Sequence, residues 1–180
     1  LMAAVQMQAK EIAKLLGTIA APRQGERMLF ITDYSPSGKP DGKRFGRAEL
    51  LTRWYAAALQ LSNELGFHVL PIVKYPETGK NNSDLPAKAA THDGGHVDDL
   101  ASLISSANIV IAMTGYSATA PLRNIAASSS SLRVISMPNV NAEMEAAMSA
   151  DYKKIDERGK RLLAVVSSAV GFELIFSGVG

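Results

Sequence analysis

The chain has 180 residues, no cysteine, and a net charge of +2 from 19 basic and 17 acidic residues. That length suits one domain with one core. The absence of cysteine excludes disulfides, thiolate metal sites and a cysteine nucleophile, and so even a charge balance offers no focused field for nucleic acid.

With 47% hydrophobic and 20% charged residues, the composition is that of a chain that folds. No apolar run reaches the roughly 20 residues that cross a bilayer, and the N-terminus lacks a signal-peptide pattern. A cytoplasmic protein with no membrane or nucleic-acid partner is expected.

Val5, Ile12, Leu15, Leu16 and Ile19 recur at helical spacing, and Pro22 closes the segment, which predicts a helix from Met2 to Ile19 with one buried face. A turn over Pro22 to Arg27 leads into Met28 to Thr32, a continuous apolar run that predicts a fully buried strand. Asp33 to Gly46 is rich in Gly, Pro, Ser and Lys and reads as a surface loop. Leu50, Leu51, Trp54, Ala58, Leu61 and Leu65 mark an amphipathic helix over Arg47 to Leu65, stopped by Gly66. Phe67 to Val73 is a second strand, and Lys74 to Gly95 a long polar loop of the kind that is usually functional or mobile.

Farther on, the pattern predicts a helix over Val97 to Ala107, a strand over Ile109 to Met113, a helix over Pro121 to Ala127 with its proline in the first turn, and a strand over Leu132 to Ser136. Helices over Asn141 to Met148 and Asp151 to Val170 follow, the second capped by Ser149 or Asp151. A fifth strand runs over Phe172 to Phe176. Apolar strands separated by helices predict an α/β fold: a three-layer, Rossmann-like α/β/α arrangement on a mostly parallel sheet of about five strands, with right-handed crossovers. Residues 1–180 are expected to form one domain. Because Leu1 and Met2 already lie inside a helical pattern and Gly180 directly follows an apolar run, the chain reads as cut from something longer.

Ligands of open parallel sheets sit beyond the carboxyl ends of the strands, which selects Asp33, Thr114, Ser117 and Asn139 as the ligand cleft. Neither GxGxxG nor GxxxxGK[ST] occurs, which disfavours a nucleotide role. His92, Asp93 and His96, followed by Asp98 and Asp99, form the one local group with metal-ligand residue types. Their spacing matches no closed zinc motif, and the plainer reading is a glycine-shaped turn with Asp93 or His96 near a helix start. Ser35, Ser37, Ser117 and Ser136 stand in no GxSxG elbow and have no nameable triad partners. Met137, Met144 and Met148 fit core packing, His68 a structural place, and Asp156 with Lys160 a solvated helix face. No catalytic residue, cofactor site or metal site is thereby assigned within the chain.

Several segments resemble, in order, the leucyl aminopeptidase (aminopeptidase T) family of metallopeptidases. Pro22-Arg23-Gln24-Gly25-Glu26-Arg27-Met28-Leu29-Phe30-Ile31-Thr32-Asp33 is similar to its opening "PGERVLIVTD". Leu132-Arg133-Val134-Ile135-Ser136-Met137-Pro138-Asn139-Val140 resembles "GARVASMPGV", and Glu143-Met144, Ala150-Asp151-Tyr152 and Arg158 to Val166 resemble "EEM…ADY…RRAERLAELL". The resemblance spans nearly the whole chain. It implies an N-terminal domain contributing a wall of the cleft for a peptide or small-molecule substrate, or a homodimer contact. It also implies a divalent metal, zinc or cobalt, bound by a following domain. A related branch of the same fold includes an iron-dependent dihydroxypyridine ring-cleaving dioxygenase, and a stand-alone small-ligand module is the alternative from another class. Where the family commonly carries a His in an "S-x-T-H-T" turn, this chain has Ser117-Ala118-Thr119-Ala120.

Overall fold

The computed structural model describes residues 7–37, 42–148, 150–173 and 175. They fall into two compact units, Leu1–Ser149 and Ala150–Gly180.

The first unit is an α/β structure on a mixed, mostly parallel sheet. Helix α1 (Ala9–Ile19) precedes β1 (Arg27–Tyr34), and α2 (Gly42–Leu65) leads to β2 (His68–Val69) and β3 (Val73–Pro76). Next come β4 (Ala89–Thr91), β5 (His96–Val97), α3 (Leu100–Ser105), β6 (Ile109–Ala112), α4 (Thr119–Ala127), β7 (Arg133–Ser136) and α5 (Ala142–Met148). The sheet runs β5-β4-β3-β1-β6-β7, and β2 also pairs with β1. β1 is parallel to β2, β3 and β6, and β6 to β7, whereas β3, β4 and β5 are joined antiparallel.

Side-chain alternation along β1 and β6 explains the two apolar clusters. Met28, Phe30, Ile109 and Ile111 join Ile12, Leu16, Trp54 and Leu61 of α1 and α2. Leu29, Ile31, Val110 and Ala112 join Leu100, Ile104 and Leu122 of α3 and α4. Strands buried on both faces read as unbroken apolar runs, which is why these two were legible without a period-2 signal.

Four expectations are corrected. Asp33 belongs to the end of β1 and is buried, so the loop starts later than predicted. The second strand is split into β2 and β3 around Pro71, which has no N–H for the ladder. The polar stretch from Lys74 to Gly95 is not one loop: it contains the end of β3 and strand β4, which forms a hairpin with β5 directly after it. Val97 lies in β5, and α3 begins at Leu100 under an Asp99 cap whose carboxylate accepts from the Ser102 N–H at 2.9 Å. Four of the predicted strands lie in the sheet, and splitting one of them and adding the two strands of the hairpin gives its seven. Met2 to Gln6 of the expected opening helix, and Leu174 and Phe176 of the expected fifth strand, lie outside the described residues; Phe172, Glu173 and Ile175 are not in a strand.

Gly66 stops α2 as predicted, in the left-handed conformation (φ 72°) that glycine adopts without a Cβ penalty. Glu145 of α5 is buried and accepts from Trp54 Nε1, Arg53 Nη1 and the Met7 N–H, each at 3.1 Å. That carboxylate gathers α2, α5 and the residue leading to α1 around one charge. In the second unit, α6 (Tyr152–Val166) is capped by Asp151, whose side chain accepts from the Lys154 N–H at 3.1 Å, and carries the expected Asp156–Lys160 pair at 2.6 Å. No helix among the described residues is long and apolar enough to cross a membrane.

Candidate functional site

The parallel strands lie in the order β3-β1-β6-β7. The chain therefore moves from β1 to one side and then crosses to the other. That reversal marks a topological switch point between the carboxyl ends of β1 and β6, where the ligand crevice of such sheets lies.

Asp33 sits at that point. It continues the inward stripe of Leu29 and Ile31, and its carboxylate is closed off from solvent, with 1% of the side chain exposed. Arg47 Nη2 stands 3.1 Å from Oδ1, itself 4% exposed. The Gly115 N–H donates to both oxygens (2.8 and 2.9 Å) and the Tyr116 N–H to Oδ2 at 3.0 Å. A buried carboxylate with one guanidinium and two amides is satisfied in charge and hydrogen bonding. These groups clamp the loop after β6 and the first turns of α2 to the tip of β1. A Cβ on Gly115 would lie 3.1 and 3.3 Å from the Arg47 nitrogens and 3.3 Å from Asp33 Oδ2, so any other residue here would press on the ion pair.

Two further groups line the same face. Tyr75, register partner of Asp33 across β1 and β3, is buried. Its phenol is held well above the ordinary tyrosine range, mainly by desolvation and further by the Asp33 charge, against a smaller opposing effect of Arg47. Thr114 is fully buried, and its Oγ1 has no hydrogen-bond partner among the described residues. Its carbonyl accepts from the Asn139 N–H at 2.7 Å, tying the end of β6 to the turn after β7. Asn139 itself is exposed, in the left-handed region (φ 54°).

Beyond this lies a ring of neutral groups. Ser117 Oγ donates to Asn82 Oδ1 (3.1 Å) and lies 3.0 Å from Thr119 Oγ1, and Thr119 Oγ1 meets Ser136 Oγ at 2.9 Å. Of the four cleft residues predicted from sequence, Asp33, Thr114 and Ser117 converge on the β1/β6 crevice. Asn139 reaches it through its backbone.

His92 and Asp93 lie elsewhere, exposed on the β4–β5 turn, and His96, also exposed, begins β5. Thr91 Oγ1 donates to Asp93, which lowers the carboxyl below its usual range, and the Gly95 N–H donates to Thr91 Oγ1 at 2.8 Å. Neither Asp93 nor His96 caps a helix; Asp99 does. Among the described residues no three His, Asp or Glu side chains group as a metal centre would need. The donors on this turn do not fit a two-metal site.

Arg47, Asn81 and Asn82 were not singled out by the sequence. Arg47 was detectable: it stands in line with Leu50, Leu51 and Trp54 on the buried stripe of α2, and a cation on such a stripe needs a partner. Nothing local marks Asn82, whose partners are 35 and 38 residues away. Compared with family models, with curated proteins and with solved structures, the chain matches none.

Proposed function

We propose that this chain is the N-terminal α/β domain of an aminopeptidase-T-like metal-dependent peptidase, forming one wall of the substrate cleft at the β1/β6 crevice. The observation that carries the reading is the make-up of the crevice. Its charged pair, Asp33 with Arg47, is buried and mutually neutralised, while the groups around it are hydroxyls and amides. Such a surface can orient a peptide or other polar substrate, whereas a general base needs a free titratable group within reach of the proton it takes. The ordered resemblance from Pro22 to Val166 supports the peptidase class. The two apolar clusters, each assembled by its own helices, support a three-layer, Rossmann-like arrangement.

Hydrolytic chemistry in this reading belongs to divalent ions, zinc or cobalt, held by a following domain, where a bound metal activates water. This chain's part is to position. The test is hydrolysis of leucyl-p-nitroanilide with cobalt or zinc, comparing the 180-residue chain with the longest product of its gene. Turnover by the long form alone supports the reading. Turnover by the short chain places the chemistry in this chain and overturns it. Oxygen consumption by the long form without peptide hydrolysis moves the assignment to the ring-cleaving oxygenases. A second reading, a small-ligand module, is favoured by the buried Thr114 hydroxyl, which has no hydrogen-bond partner among the described residues, and predicts saturable binding to the isolated chain.

A further inference from the structure

The segment Glu77–Lys88 leaves β3 on one side of β1, yet bonds residues that follow β6 on the other. Its first N–H, from Glu77, donates to the Tyr34 carbonyl at the tip of β1 (2.8 Å). Farther along, Asn81 Oδ1 accepts from the Ser117 N–H (2.8 Å), and the Asn82 N–H donates to the Ser117 carbonyl (2.6 Å). Asn82 Oδ1 accepts from Ser117 Oγ and from the Ala120 N–H in the first turn of α4, both at 3.1 Å. The chain then returns to β4, on the far side of β3 from β1. With the order β4-β3-β1-β6, this excursion crosses the carboxyl end of β1 and passes over the crevice that holds Asp33 and Thr114.

The crossing is held lightly. No residue of 77–88 is buried, and Leu85 packs only partly buried against the α3/α4 cluster. Asn82 adopts φ 60°, a conformation Asn tolerates better than other residues with a side chain. Few buried contacts and exposed hydrogen bonds are the marks of a segment that opens locally without global unfolding.

We propose that Glu77–Lys88 is a lid over the β1/β6 crevice, latched by the Asn82 carboxamide on the first turn of α4. The lid decides when a ligand reaches the crevice, and its existence does not depend on the peptidase reading. The test is hydrogen–deuterium exchange by mass spectrometry on the 180-residue chain, with Asn82→Gly and Asn82→Asp beside wild type. Glycine keeps the backbone angle and removes the latch; aspartate keeps an acceptor at the N-terminus of α4, where negative charge is favoured.

Expected for Asn82→Gly is exchange about tenfold faster or more, from the loss of two hydrogen bonds, in both 78–84 and 117–120. Amides of β1 and β6 stay unchanged, and Asn82→Asp stays near wild type. Unchanged exchange at 117–120 in Asn82→Gly would overturn the latch. Acceleration of β1 and β6 by the same factor would overturn the lid, since the carboxamide would then be holding the whole fold.

Discussion

At the scale of single residues, the Asp33 clamp makes unequal demands on its members. Replacing Arg47 with Met leaves a buried carboxylate still held by two amides, whereas Asp33→Ala strands a buried guanidinium and two N–H groups together. Breaking a buried pair costs about 3–5 kcal/mol, and Asp33→Ala is expected at or above the top of that range with Arg47→Met below it. Urea unfolding of the two variants gives the order. Gly115→Ala puts a methyl carbon 3.1–3.3 Å from the Arg47 nitrogens and Asp33 Oδ2, and is expected to destabilise by about 1–3 kcal/mol through overpacking. An unchanged midpoint would mean that the guanidinium moves aside freely. The aspartate was visible in the sequence as a polar residue ending an apolar run. Its role was not, because the partners lie 14 and more than 80 residues away.

Among the elements, the clearest pH-dependent tie is between the turn before β1 and strand β7. Glu26 accepts from Arg133 Nη1 and Nη2 at 3.1 and 2.6 Å, while Arg133 Nε donates to the Ala20 carbonyl at 3.2 Å, where α1 ends. The Arg133 hydrogen bonds hold the Glu26 carboxyl below the usual glutamate range, against an opposing effect of burial. A carboxyl lowered in the folded state stabilises fully above its unfolded value, and the contribution fades as pH falls through the lowered one. Wild type should therefore lose stability in acid more steeply than Glu26→Gln when urea midpoints are followed from about pH 6 to about pH 3. Identical slopes would show that the pair contributes nothing measurable. Helices α1 and α2 were legible because their apolar residues recur at 3.6-residue spacing. The β4–β5 hairpin was not: its strands are 3 and 2 residues long, too short for any period to register.

Across the whole molecule, β1 is the centre of the sheet, flanked by β3 and β6, with six consecutive buried residues. The slowest amide exchange is therefore expected in β1 and β6, at the global unfolding free energy, and faster exchange in the edge strand β5. Equal protection throughout would argue against this hierarchy. What the sequence determined by itself was the class of fold: buried strands and amphipathic helices alternate along it, and that alternation is a local property of hydrophobic spacing. Only the tertiary structure decided which strand ends share a crevice. Strand order and helix packing bring Arg47 and Gly115 onto the Asp33 carboxylate and carry Asn82 across β1, because contacts between residues distant in the chain are set by how the layers pack and leave no periodic trace in the sequence.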